Sequence, residues 1–225
     1  MLKKSILPTL IGIMAVLYIF IIPAEPLALK IVFKLIPMLL IILYAFRQLP
    51  ARPAPAMRLI IIGLFFCMLG DGFIAVSFVA GLGAFLVGHV FYLTGFIKMS
   101  RTNMTRLASI FPIGLYSFFI GRQLITALQT EGNDGLVIPV VAYMLVISLM
   151  ALTAILTDSL LATAGSILFV ISDSILSWNM FVSTIPYSDV LIMTTYYSAQ
   201  FLIAGSLASL GKSVRHEEGK SMNMQ

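Results

Sequence analysis

The sequence predicts an all-α polytopic membrane bundle. Eight transmembrane helices form a single domain over residues 1–211, and a polar tail follows at 212–225. Three observations carry that prediction. Of the 225 residues, 60% are hydrophobic and only 10% charged, where a soluble domain carries about 25% charged residues. The apolar residues fall in continuous runs close to the ~20 residues that cross a bilayer core of about 30 Å. They do not show the alternating ten-residue segments of a membrane barrel. Finally, the basic residues gather in alternate breaks between the runs.

The first run, 5–22, follows Lys3 and Lys4 and resembles a signal peptide. It is too long for an ordinary signal core, and the "PAEP" after it is a poor cleavage site, so it reads as an uncleaved span. The second span, 27–46, ends at "RQLPARPAPAMR", whose prolines interrupt any helix. Spans three and four, 58–79 and 82–98, are cut at the glycines of "AGLG", read as a very short hairpin. "KMSRTNMTR" leads to span five at 106–126, and "QTEGNDG" to span six at 136–156. The short "TDS" precedes span seven at 160–181, and "STIPYSD" precedes span eight at 188–210.

With eight spans, both termini and the even-numbered connections share one side. That side holds Lys3, Lys4, Arg47, Arg52, Arg58, Lys98, Arg101, Arg106, Lys212, Arg215 and Lys220, which is 11 of the 14 lysines and arginines. The other connections hold Glu25, Glu131 and Asp134. The positive-inside rule therefore places both termini in the cytoplasm. The net charge of +5 is an orientation signal, not a nucleic-acid footprint. Cys67 is the lone cysteine, so the chain has no internal disulfide. The short loops and spare tail point to a bacterial plasma membrane.

Few ionisable residues remain inside the spans: Lys30, Lys34, Asp71, His89 and Asp173. A charge at mid-membrane costs roughly 2.5–3.5 kcal/mol on insertion scales, so each needs a partner or a wet cavity. Counting from the span ends puts Lys34, Asp71, His89 and Asp173 at one depth in the outer half, with Tyr196, Tyr197 and Gln200. Phe85, His89 and Tyr92 share one helix face at i, i+4 and i+7. "LGDGFIAVSF" and "VISDSILSWNMF" each set an aspartate among small residues. Each is followed by a span carrying Tyr with His or Gln, the pattern of a weak four-plus-four parallel repeat, which commonly builds a site at its interface.

Structural roles also account for single residues: an Asp71–Lys34 ion pair holding two helices, a hydrogen-bonded His89, or interfacial tyrosines. Catalytic signatures are few. One span histidine gives no HExxH-like zinc spacing, and neither GxSxG nor a phosphate-binding loop is present. What remains is a pair of carboxylates in a low-dielectric cavity, where one keeps its proton while the other stays ionised. Such a pair suits an acid–base hydrolase, an intramembrane aspartyl protease or a proton-coupled transporter.

"KLIPM", "GDG", "AFLVGHVFY", "GSILFVISDSIL" and "YYSAQFLIAGSL" occur in order along nearly the whole chain. In these segments the sequence resembles the YhhN family, the eight-span lysoplasmalogenases. That resemblance implies hydrolysis of the vinyl-ether bond of lysoplasmalogen, giving a fatty aldehyde and glycerophosphocholine or glycerophosphoethanolamine. It maps the two essential aspartates onto Asp71 and Asp173. Lys34, His89, Tyr92, Tyr196, Tyr197 and Gln200 are the candidate substrate-binding residues. The chemistry needs no metal or other cofactor, and the implied partners are a lysophospholipid and the bilayer. A transporter or lipid-binding protein using the same aspartates without bond cleavage is the alternative.

Overall fold

The computed structural model describes residues 2–101 and 103–222, with side chains for 5–101 and 103–211. The side chains of Lys3, Lys4, Lys212, Arg215 and Lys220, which enter the orientation argument, lie outside the described set, as do residues 223–225 of the tail.

Nine α-helices, one short 3-10 helix (Asp134–Leu136) and no strand occur among the described residues: α1 (Leu2–Phe20), α2 (Leu27–Gln48), α3 (Pro55–Phe73), α4 (Phe78–Met99), α5 (Met104–Leu107), α6 (Ile110–Thr130), α7 (Val137–Leu156), α8 (Leu160–Phe181) and α9 (Ser188–Met222). Seven segments are long and apolar enough to cross a membrane: α2, α3, α4, α8, Met104–Thr130, Asp134–Leu156 and Ser188–Gly211. The first is a shorter apolar helix over Ser5–Phe20. Large side chains such as Phe111, Leu115, Phe118 and Phe119 of α6 are exposed. An apolar outer face is the property of a lipid-facing surface.

The breaks have local causes. Prolines 50 and 53 separate α2 from α3, and Pro55 opens α3, a position where its missing N–H is harmless. Asn103 caps α5, its side chain accepting from the Thr105 and Arg106 N–H groups. Ser159 caps α8 after the "TDS" turn, where Asp158 adopts φ 65°. Arg106 pairs with that aspartate, and the Arg101 N–H donates to the Leu156 carbonyl, so these two connections lie at one end of the bundle.

One predicted turn is misplaced. The chain reverses at residues 74–77, not at "AGLG". Ser77 caps α4 by accepting from the Ala80 N–H, and both glycines of "AGLG" lie inside α4. Gly81 is a contact residue instead: a Cβ there would sit 2.7 Å from Ile74 Cα. Asp71 therefore lies two residues from the end of α3, about half a turn rather than the predicted two. At the other end of the chain, α9 continues through Met222, past the 210 boundary predicted for the last span.

Helices α3 and α4 make the most extensive contact, and α8 and α9 the next. Around these hairpins, α2 packs on α1, α3 and α9, while α7 packs on α6, α8 and α4. Exchanging α1–α4 with α6–α9 carries each of these contacts onto another. The contacts of α1 and α3 with α9, and of α6 with α8, have no counterpart of similar extent.

The two hairpins use one device. Gly63 and Gly165 each stand eight residues before an aspartate. A Cβ at Gly165 would meet the Ala199 carbonyl at 2.9 Å and the Ile203 nitrogen at 3.0 Å. Both are backbone atoms, so the helices must part to admit it, whereas a Cβ at Gly114 meets nothing within 4 Å. Gly165→Ala should therefore lower stability by about 1–3 kcal/mol, and Gly114→Ala should be neutral or slightly stabilising. Thermal unfolding of the detergent-solubilised variants measures both.

Candidate active site

Lys34 lies on the second turn of α2, where Lys30 shares its face at i−4. Asp71 ends α3, and Tyr196 stands on α9 two turns in from its start. These three side chains meet. The Lys34 Nζ is 3.3 Å from Asp71 Oδ1, and the Tyr196 hydroxyl donates to Oδ2 at 2.6 Å. Asp71 is only 2% exposed, so a cation and a phenol together replace the water its carboxylate has lost. This is the ion pair that a purely structural reading of the sequence expected, with a tyrosine added. Tyr197, next along α9, donates to the Lys34 backbone carbonyl at 2.8 Å and fixes α2 against α9.

Asp173 lies midway along α8, and its Oδ2 accepts a hydrogen bond from the Tyr143 hydroxyl of α7. No cation pairs with it among the described residues. The serines around it are engaged with backbone: Ser172 donates to the Ile192 carbonyl and Ser174 to that of Val170. Each aspartate is thus met by the second helix of its own set of four, Asp71 by a lysine and Asp173 by a tyrosine. Tyr143 did not stand out in the sequence. Its only signal was a hydroxyl in the middle of the apolar run "VVAYMLV".

Asp71 and Asp173 line one cavity of about 570 Å³ with Lys30, Lys34, Asp189 and Tyr196. It opens toward the end of the bundle where α2 and α9 begin. Ile74, Phe78, Phe85, Leu176 and Asp173 also line an adjoining apolar crevice, whose far wall includes Tyr143 and Met144. Through Ser117, Met144 and Ser148 that crevice adjoins a groove between α6 and α7 on the apolar outer surface. Asp173 therefore stands where a polar chamber meets an apolar one.

Four of the eight candidate residues line the polar cavity: Asp71, Asp173, Lys34 and Tyr196. The others do not. Tyr92 donates to Gln200 Oε1 at 2.6 Å in the fully buried interior, and Tyr197 is turned to the α2 backbone. His89 is fully buried among Phe169, Tyr143 and Tyr92, its ring 4.5 Å from that of Phe169. The antiparallel pairing of α3 and α4 sets Gly70 beside Phe85 and Cys67 beside Gly88. His89 thus lies about one turn deeper than Asp71, not at its level. The cause is the shifted turn, which moves Asp71 outward.

No group of three or more metal-ligating side chains occurs among the described residues. What the cavity offers is two carboxylates, one salt-bridged and one not, at the edge of an apolar chamber. Lys34→Met would leave Asp71 buried without its cation and should cost about 3 kcal/mol of stability. Adding Asp71→Asn should recover most of that loss. A thermal-unfolding double-mutant cycle checks this, and purely additive effects would show that the pair is not coupled.

The YhhN family model matches residues 29–207. Lysoplasmalogenase TMEM86B of Mus musculus is 32% identical over 128 residues, covering 56% of this chain and 52% of the relative. Lysoplasmalogenase TMEM86A of Homo sapiens is 28% identical over 188 residues, 72% of this chain and 70% of the relative. A lysoplasmalogenase of Mycobacterium tuberculosis is 28% identical over 144 residues, 60% of this chain and 54% of the relative. The chain spans about half the length of the first and third of these. No solved structure matches it. The matched segment contains Lys34, Asp71, Tyr143, Asp173 and Tyr196, and this all-helical chain belongs to the YhhN family.

Proposed function

We propose that the protein is an integral-membrane lysoplasmalogenase that cleaves the vinyl-ether bond of a lysoplasmalogen by acid–base catalysis between Asp173 and Asp71. The observation that carries this reading is the placement of both aspartates on one cavity, with Asp173 at its junction with an apolar crevice. The relatives, named lysoplasmalogenases, support the same substrate. A lysoplasmalogen has one alkenyl chain and one polar head, joined at the bond to be broken. The head fits the polar cavity of about 570 Å³; the crevice, of only about 60 Å³, takes the first carbons of the chain, and the adjoining α6–α7 groove of about 700 Å³ takes the rest, which sets the vinyl ether beside Asp173.

The reaction begins with proton transfer from the Asp173 carboxyl to the β-carbon of the vinyl ether. The π electrons form the new C–H bond, and the positive charge spreads over the α-carbon and the ether oxygen. Asp71, held as a carboxylate by Lys34 and Tyr196, faces that charge across the cavity. Water adds to the α-carbon as Asp173, now ionised, takes a proton back, leaving a hemiacetal. Transfer of the hemiacetal hydroxyl proton to the glycerol oxygen breaks the C–O bond. Aldehyde and glycerophospho-alcohol leave, with one water consumed. Two carboxylates divide this work much as they do in glycoside hydrolysis. Tyr143 is a positioning residue: it holds one oxygen of Asp173 and leaves the other to carry the proton.

The proposal includes the setting. The chain crosses the bacterial plasma membrane eight times as a single domain over 1–211, built from two parallel sets of four helices. Both termini and the 212–225 tail are cytoplasmic. Glu25, Asp189 and the cavity mouth then face outward.

Asp71→Asn and Asp173→Asn should each reduce aldehyde release from lysoplasmalogen by about 10²–10⁴-fold, the range for a lost general acid or base, while the protein still folds. Tyr143→Phe should lower kcat with little effect on KM. A coupled aldehyde assay on purified protein measures all three. A proton-coupled transporter would instead move substrate or protons across sealed vesicles without releasing aldehyde.

A further inference from the structure

Two charged side chains in the polar cavity play no part in the proposed chemistry. Lys30 is half-buried on α2, and Asp189 is exposed in the first turn of α9. Both line the same cavity as the aspartates. Neither side chain has an ion-pair or hydrogen-bond partner among the described residues. Lys34 and Asp71 neutralise one another, so the cavity mouth keeps one unpaired cation and one unpaired anion on opposing helices.

Their spacing along the helices is informative. Lys30 is four residues outward from Lys34, and Asp189 is seven residues outward from Tyr196. At 1.5 Å per residue these steps are about 6 Å and about 10 Å from the level of the Lys34–Asp71–Tyr196 cluster. In a lysoplasmalogen, five bonds separate the vinyl-ether oxygen from phosphorus, and four more lead to the amine nitrogen. Three extended bonds span at most about 3.6 Å, so these atoms lie within roughly 6 Å and 11 Å of the ether oxygen. With the ether at the aspartates, the phosphate is within reach of Lys30 and the ammonium within reach of Asp189.

We propose that Lys30 and Asp189 form a head-group subsite: Lys30 binds the phosphate and Asp189 the ammonium, selecting zwitterionic lysolipids over those with a bare phosphate head. The inference takes its lipid class and the position of the ether from the hydrolase reading, while the two unpaired charges on one cavity are observed independently of it. An acid in the first turn also stabilises its own helix through the dipole. That role predicts a loss of stability on neutralising Asp189 and no change in head-group preference.

The test uses the full chain in nanodiscs and a saturated 1-alkyl lysolipid, which has no vinyl ether and cannot be cleaved. Its affinity is measured with a phosphoethanolamine head and with a phosphate head. The wild type should favour phosphoethanolamine by about fivefold, the scale of a partly exposed ion pair. Asp189→Asn should remove that preference without weakening the phosphate-headed lipid, and Asp189→Glu should restore it. Lys30→Gln should weaken both lipids. An unchanged preference in Asp189→Asn, or none in the wild type, overturns the subsite. A protein that shows the Asp189-dependent preference yet releases no aldehyde from lysoplasmalogen retains the subsite and loses the hydrolase reading.

Discussion

The ion pair between Lys34 and Asp71 is the constraint around which the rest is arranged. A carboxylate this buried persists only if a partner replaces its hydration, and Lys34 and Tyr196 do so on separate oxygens. Those contacts tie α2, α3 and α9 together at the floor of one cavity. The Tyr197 hydroxyl on the Lys34 carbonyl holds the α2 backbone in place for the pair. Removing the lysine would expose the carboxylate's desolvation cost in full, which is why the pair acts as a unit.

The second aspartate shows what the first would be without that lysine. Asp173 occupies the corresponding place in the other set of four helices, eight residues after a close-packing glycine, and meets a tyrosine instead of a cation. Two similar hairpins thus present two carboxylates in unlike surroundings. In the proposed reaction that asymmetry is the basis for assigning Asp173 as the proton donor and Asp71 as the carboxylate that faces the cation. The apolar crevice beside Asp173 bears on the proposed substrate, a single-chain lipid whose ether bond would lie between an apolar and a polar compartment.

Much of this was legible in the sequence. Asp71 and Asp173 stood out because a charge in an apolar run needs a reason, and Lys34 stood out as the natural partner for Asp71. Less legible was which way side chains point. The spans are apolar on every face, since lipid and protein interior are equally apolar, so the periodicity that marks the inner face of a soluble helix is missing. Depth and helix face along the spans group Tyr92 and Gln200 with the cavity residues, yet they bond to each other in the interior. A turn at "AGLG" would put His89 level with Asp71. A serine cap at Ser77 sets the turn earlier, and the glycines serve helix contact. Tyr143 carried no charge to draw notice, and only its contact with Asp173 reveals it.

The central claim is that a buried carboxyl group protonates the vinyl-ether carbon, and isotope transfer from solvent tests it most directly. Purified protein would turn over lysoplasmalogen in D2O, with the aldehyde trapped as it forms and examined by mass spectrometry. The account predicts one deuterium on the carbon next to the carbonyl in every molecule released, and no release from Asp173→Asn. Aldehyde formed without that deuterium, or at an undiminished rate by Asp173→Asn, would contradict it.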